Sequence, residues 1–174
     1  MMFYSTTTNT YIQEGNAFDI DGVQYPANWL NLSSAEDKSA LGLEEVVATN
    51  SPGDDRYYWV SQELEGATLT YVNTPKDLAQ VKTSAVTQLR ASAYSLLLPT
   101  DWMVVKALET STPIDPAWNT WRASIRSTCD IAVTNIEAAT DVDAVATAVS
   151  NVSWPHDPNY VEPVVEDAVS SEGE

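Results

Sequence analysis

The sequence predicts an α+β protein: a small β-rich N-terminal module, then a C-terminal helical bundle or hairpin, then a disordered acidic tail. Three observations predict it. Composition changes near Thr74, from Gly, Asn, Asp and aromatic residues in short strand-like runs to alanine, leucine, valine and threonine. Helix punctuation marks each break of the second half, with capping residues beside prolines at the starts. After Pro155 the segment "HDPNYVEPVVEDAVSSEGE" has six acidic residues, no basic one and little periodicity. The expected divisions are 1–73, 74–155 and 156–174.

In the first module, Asp21-Gly22 lies between the short apolar runs of "AFDIDGVQYP". Such a pair accepts the positive φ angles of a tight turn, so a hairpin is expected there. In "NWLNLSSAEDKSALGL", Ser33 or Ser34 can cap a short helix, with Asp37 near its third position and Gly42 just past its end. "LEEVVAT" and "DRYYWVSQ" read as strands joined by the turn "NSPGDD", and "ATLTYV" completes a small sheet covered by one helix. The opening "MMFYSTTTNTYIQ" lacks a basic region followed by an apolar run and does not read as a signal peptide.

The second half begins with a long helix in "VNTPKDLAQVKTSAVTQLRASAYSLLLP". Thr74 is its expected cap and Pro75 its first residue, while Asp77 suits the positive helix end. Leu78, Val81, Ala85, Leu89 and Leu96 fall on one apolar stripe, and Pro99 ends the helix. A shorter helix, "TDWMVVKALE", starts at Thr100 or Asp101. Asp115 caps the next one, with Pro116 first in it. On it Trp118, Trp121, Ile125, Cys129, Ala132, Val133 and Ile136 share a face. A last helix, "DVDAVATAV", is capped by Asp141. No repeat of solenoid period occurs.

Charge bounds the partners. The chain carries 8 basic and 25 acidic side chains, a net of −17. That field repels nucleic acid and anionic membranes, and no apolar stretch approaches the roughly 20 residues that span a bilayer. Neither kind of partner is expected. The acidity serves solubility, or attracts a basic protein surface. With one cysteine and one histidine, no intramolecular disulfide and no Cys/His zinc set can form. A protein made and kept in a cytoplasm is expected.

Candidate catalytic groups lack support from their surroundings. His156 stands beside the expected tail, where a geometry is hard to hold, and Cys129 lies on an apolar stripe. "DIDG" resembles part of a calcium loop without its bidentate glutamate, and a hairpin turn explains it. Acidic pairs such as Asp54-Asp55 and Glu44-Glu45 arise by chance among 25 acids. No phosphate loop or dinucleotide fingerprint occurs. No enzyme, cofactor or metal is expected.

The stretch "DPAWNTWRASIR" concentrates aromatic and basic content. Trp118 and Trp121 fit burial against the long helix, with Arg122 and Arg126 flanking them and reaching carboxylates elsewhere. Tryptophan and arginine also favour protein–protein contact. Both readings stand at this point.

The order "LLLPTDWMVVKALE…AWNTWRASIR…VSWPHDP" resembles the C-terminal region of phage tail-fibre assembly proteins, the tail assembly chaperones. Thr100, Asp101 and Trp102 match the first element, Trp121, Arg122, Ile125 and Arg126 the second, and Trp154 and Pro155 the third. The match covers roughly residues 75 to 158, and more loosely 20 to 75. The resemblance implies a non-enzymatic helper that binds the C-terminal region of a tail-fibre subunit in the host cytoplasm and promotes its folding and trimerisation. It implies Trp102, Trp118, Trp121, Arg122, Arg126 and Trp154 as partner-binding candidates. The acidic tail and the long spacer before Trp154 depart from the family pattern. They leave open a structural protein retained in the virion on the fibre, in contact with the host surface. The oligomeric state is open as well.

Overall fold

The computed structural model describes residues 1–161 and divides the chain into two compact units, Met1–Lys76 and a second that begins at Asp77. The order of strands first and helices after is α+β.

In the first unit, β1 (Met2–Ser5) pairs antiparallel with β2 (Thr10–Gln13) and with β5 (Leu43–Glu45). A second ladder joins β3 (Phe18–Ile20) to β4 (Val23–Tyr25). Its turn is Asp21-Gly22, with φ of 52° and 79°, as such hairpins require. Short helices α1 (Trp29–Leu32) and α2 (Ala35–Ala40) follow. Ser34 and Asp37 form a reciprocal capping box on α2, and Gly42 ends the segment at φ 69°.

Phe3, Ile12, Ile20, Leu30 and Leu43 make the buried core, flanked by Phe18, Tyr25 and Trp29. The rings of Tyr25 and Trp29 meet edge-on at 5.1 Å, and Phe18 stacks on Tyr25 at 5.0 Å. Every one of those five core residues except Leu30 comes from a three- or four-residue strand. Each ladder alone is too short to be stable. Their shared apolar cluster holds them.

A third sheet orders β6 (Val47–Ala48), β8 (Thr68–Pro75) and β7 (Tyr58–Glu65). Two expectations are corrected here. "LEEVVAT" is not one strand but breaks at Val46, sending β5 to β1 and β6 to β8, to which β6 runs parallel. The strands of the first unit therefore form three sheets, not one. The opening segment, given no strand in the sequence reading, supplies two.

In the second unit, α3 (Leu78–Leu97) is capped by Asp77, whose carboxylate accepts from Gln80 N at 2.9 Å. The expected Thr74 cap and Pro75 start are corrected. β8 runs through Pro75, which faces Tyr58 as the last pair of the ladder. A strand end tolerates proline where no ladder donor is needed.

A 3-10 turn (Leu98–Thr100) carrying Pro99 leads into α4 (Asp101–Thr110). Next come α5 (Pro116–Ala138), with Asp115 accepting from Ala117 N, and α6 (Val142–Ser150), with Asp141 accepting from Ala144 N. The helix α3 packs on α5, and α6 packs on both. Val81, Leu89, Ile125, Ile136, Val142 and Val145 are buried in this three-helix core.

Cys129 is buried there as well, and burial first, then the Asp130 carboxylate, pushes its thiol pKa up. The helix α4 has no buried residue. The expected tail begins within the described residues, where His156 stacks on Tyr160 at 3.7 Å. Its remainder, 162–174, lies outside them. No described helix is long and apolar enough to cross a membrane.

Candidate partner-binding face of the helical unit

The start of α5 organises this site because Pro116 and the Asp115 cap fix where its first turn points. One turn later Trp121 and Arg122 turn inward. Trp121 donates from Nε1 to the Pro155 carbonyl at 2.9 Å. Its indole meets Trp118 edge-on at 5.6 Å. Arg122, 4% exposed, donates to the Leu97 carbonyl at 3.0 Å, to the Thr100 hydroxyl, and to Asp101 Oδ1 at 2.7 Å.

These acceptors lie where α3 ends. A helix end leaves carbonyls without intrahelical partners, and the guanidinium fork satisfies one while pairing with the first carboxylate of α4. Arg122 therefore clamps the corner between α3 and α4. The expectation that an arginine of this stretch reaches a distant acid holds for Arg122 and Asp101.

Arg126 behaves differently. It is exposed, and among the described residues its side chain makes a single long bond, 3.4 Å, to the Arg122 carbonyl four residues back. Among the described residues it pairs with no carboxylate. Trp102 is 56% exposed, with Lys106 Nζ 5.7 Å above its ring. Trp118 and Trp154 are half-buried. Trp118, in the first turn of α5, thus departs from the buried stripe expected of it.

The six candidates therefore separate. Trp121 and Arg122 face the interior and present little surface to a partner. Trp102 and Trp118 wall a groove of about 210 Å³, completed by Met103, Lys106, Pro113 and Ile114. Lys106 was overlooked in the sequence, although its spacing of four from Trp102 on a helix places both on one side.

The groove offers apolar walls, the Lys106 ammonium group, the Thr112 hydroxyl and the Asp115 carboxylate that caps α5. Among the described residues no group of three or more His, Cys, Asp or Glu side chains could hold a metal ion. No protein-family model, curated protein or solved structure matches this chain.

Proposed function

We propose that this chain is a non-enzymatic assembly chaperone for a phage tail fibre, acting in the host cytoplasm. It binds the C-terminal region of a fibre subunit and promotes folding and trimerisation. The carrying observation is the ordered trio Thr100-Asp101-Trp102, Trp121-Arg122-x-x-Ile125-Arg126 and Trp154-Pro155.

Two features of the geometry support this reading. The three pieces of the trio, dispersed over more than fifty positions, are tied into one knot by the bonds from Arg122 to Thr100 and Asp101 and from Trp121 to Pro155. Beside the knot, Trp102 and Trp118 line a groove. Fibrous β-rich trimers fold slowly and expose apolar surface and unpaired strands on the way. An acidic partner that covers such surface keeps them soluble.

The test is co-expression of the matching fibre subunit, with and without this chain. More soluble trimer is expected in its presence; equal yields would defeat the reading.

A second reading, a structural protein retained on the fibre, draws on the first unit. Of Trp29, Tyr57, Tyr58 and Trp59, Trp29 and Tyr57 lie against the fold, but Trp59 is 66% exposed, with Lys76 Nζ 4.3 Å over one face of its ring. Mass spectrometry of purified particles separates the two: stoichiometric presence favours retention, absence the transient helper.

A further inference from the structure

The two edges of the β6–β8–β7 ladder are treated in opposite ways. On the β8 side, every outward group from Ala67 to Tyr71 is met. Val47 N and Thr49 N donate to the carbonyls of Ala67 and Leu69, both at 3.0 Å. Asn50 then imitates a strand: its Oδ1 accepts from Tyr71 N and its Nδ2 donates to Tyr71 O, each at 2.8 Å. Gly53 N donates to Asn73 Oδ1 at 2.8 Å, closing the row.

Among the described residues the β7 side has no such cover. The ladder pairs without a bulge from Tyr58 with Pro75 to Glu65 with Thr68. Lys76 N donates to Tyr57 O at 2.9 Å. Antiparallel alternation then places the remaining β7–β8 bonds at Trp59, Ser61, Glu63 and Glu65, and turns the N–H and C=O of Val60, Gln62 and Leu64 outward. Among the described residues, none of these six groups has a backbone partner.

An edge of this kind normally carries charged side chains, lysine above all, a proline, a bulge or a very short strand to prevent pairing, and the charges of β7 are Glu63 and Glu65 alone. β7 has eight residues, no lysine and no proline, and every residue after Tyr58 is exposed.

Its charges select the occupant. Glu63 and Glu65 project on one face, two residues apart, opposite Thr70 and Thr68. Neither takes an ion pair among the described residues. Like charges across a new ladder repel, and each chain carries −17, so a second copy is disfavoured. A strand with cations spaced two apart is matched instead.

We infer that the bare edge of β7 takes up an extended segment of a partner protein, with lysine or arginine at alternate positions, as an added strand. Backbone bonds to Val60, Gln62 and Leu64 supply the pairing, and Glu63 and Glu65 choose the sequence. The inference rests on the chaperone reading only for the source of that segment, an unpaired strand of the fibre.

Fluorescence anisotropy on the full chain tests it with three labelled, end-capped heptapeptides. One alternates valine with lysine, one valine with glutamate, and one repeats the lysine sequence with its central backbone nitrogens methylated. The lysine peptide should bind at least tenfold tighter than either of the others. Gln62→Pro, whose lost N–H points away from β8, should weaken it tenfold with the melting temperature unchanged. The double variant Glu63→Lys/Glu65→Lys should reverse the preference to the glutamate peptide.

Equal binding of the methylated peptide, or no binding of the lysine peptide, overturns the proposal. If Gln62→Pro does not fold, the methylated peptide on the unaltered chain decides. Negative peptide results beside a positive co-expression experiment remove the edge and leave the chaperone reading. The converse keeps the edge and removes the fibre.

Discussion

Replacing Arg122 by methionine distinguishes a residue that builds this surface from one that is part of it. Methionine keeps most of the apolar stem and removes the fork. The Leu97 carbonyl, the Thr100 hydroxyl and the Asp101 carboxylate then lose their shared donor. Bonds to a charged group contribute about 1.5–3 kcal/mol each, and more is lost where the remaining partner stays buried. The Asp101 side chain is 49% exposed and recovers water, so its share is small. Thr100 is buried and recovers no water, and only its own bond to the Leu97 carbonyl at 2.7 Å remains.

A total of about 3 kcal/mol follows. For a unit of roughly 85 residues, an unfolding entropy of about 2.1 cal/mol/K per residue converts this to a melting shift of about 17 °C. Circular dichroism at the helix band reads it directly. The difference should persist in high salt, because the guanidinium is screened by protein and not by ions. Arg122→Lys should recover about half, since one ammonium cannot span the three acceptors. A melt within about 3 °C of the unaltered protein would refute the clamp, and loss of fibre capture in that stable variant would move Arg122 into the interface.

Three further outcomes are expected. Trp121→Phe keeps a ring against Trp118 but drops the bond to Pro155, lowering stability of the helical unit by about 1 kcal/mol in a urea melt; an unchanged midpoint would contradict it. Gly42→Ala should destabilise the first unit by about 1–3 kcal/mol, because φ is 69° and a Cβ would meet Thr6 Oγ1 at 2.6 Å and Thr7 Oγ1 at 2.9 Å; a variant as stable as the parent would show that the turn relaxes freely. The side-chain bond from Arg56, followed by its backbone N–H, lowers the Asp54 pKa from 3.8 to about 2. The stabilising contribution is therefore complete above 3.8 and disappears as pH falls from there through about 2. A carboxyl-carbon NMR titration with a midpoint near 3.8 would exclude the pairing.

Local signals in the sequence were reliable wherever chemistry and backbone demand coincide within a few residues. Asp21-Gly22, the Ser34/Asp37 box, and the caps at Asp115 and Asp141 all stand where the sequence placed them. Pairing was not legible, because which strand neighbours which is decided by distant residues. The break at Val46 serves two ladders whose other members lie forty residues back and twenty ahead. The cap of α3 was misplaced for a related reason. Thr74-Pro75 is a fair helix start taken alone, but the ladder with β7 extends through it and Asp77 is the first capping residue left. At the candidate site, the inward stripe of α5 was readable from its spacing. The fates of Arg122 and Arg126 were not, since they depend on where α3 ends beside α5.

The matched trio therefore mixes residues of two kinds. Arg122, Trp121 and Pro155 hold the helical unit together, so packing within this chain accounts for them. Trp102 belongs to the same trio yet stands in solvent at the mouth of the groove, so packing alone gives little reason for an indole there. Trp102→Ala should change stability by no more than about 0.5 kcal/mol, as for other surface substitutions. If the groove receives the fibre, the same change should weaken capture about thirtyfold, the size of a truncated hot spot of about 2 kcal/mol. Paired melts and pull-downs of fibre by the full chain read both quantities. Equal capture with equal stability would remove the groove from the interface. A large loss of stability would mean that α4, which has no buried residue, depends on Trp102 for its position.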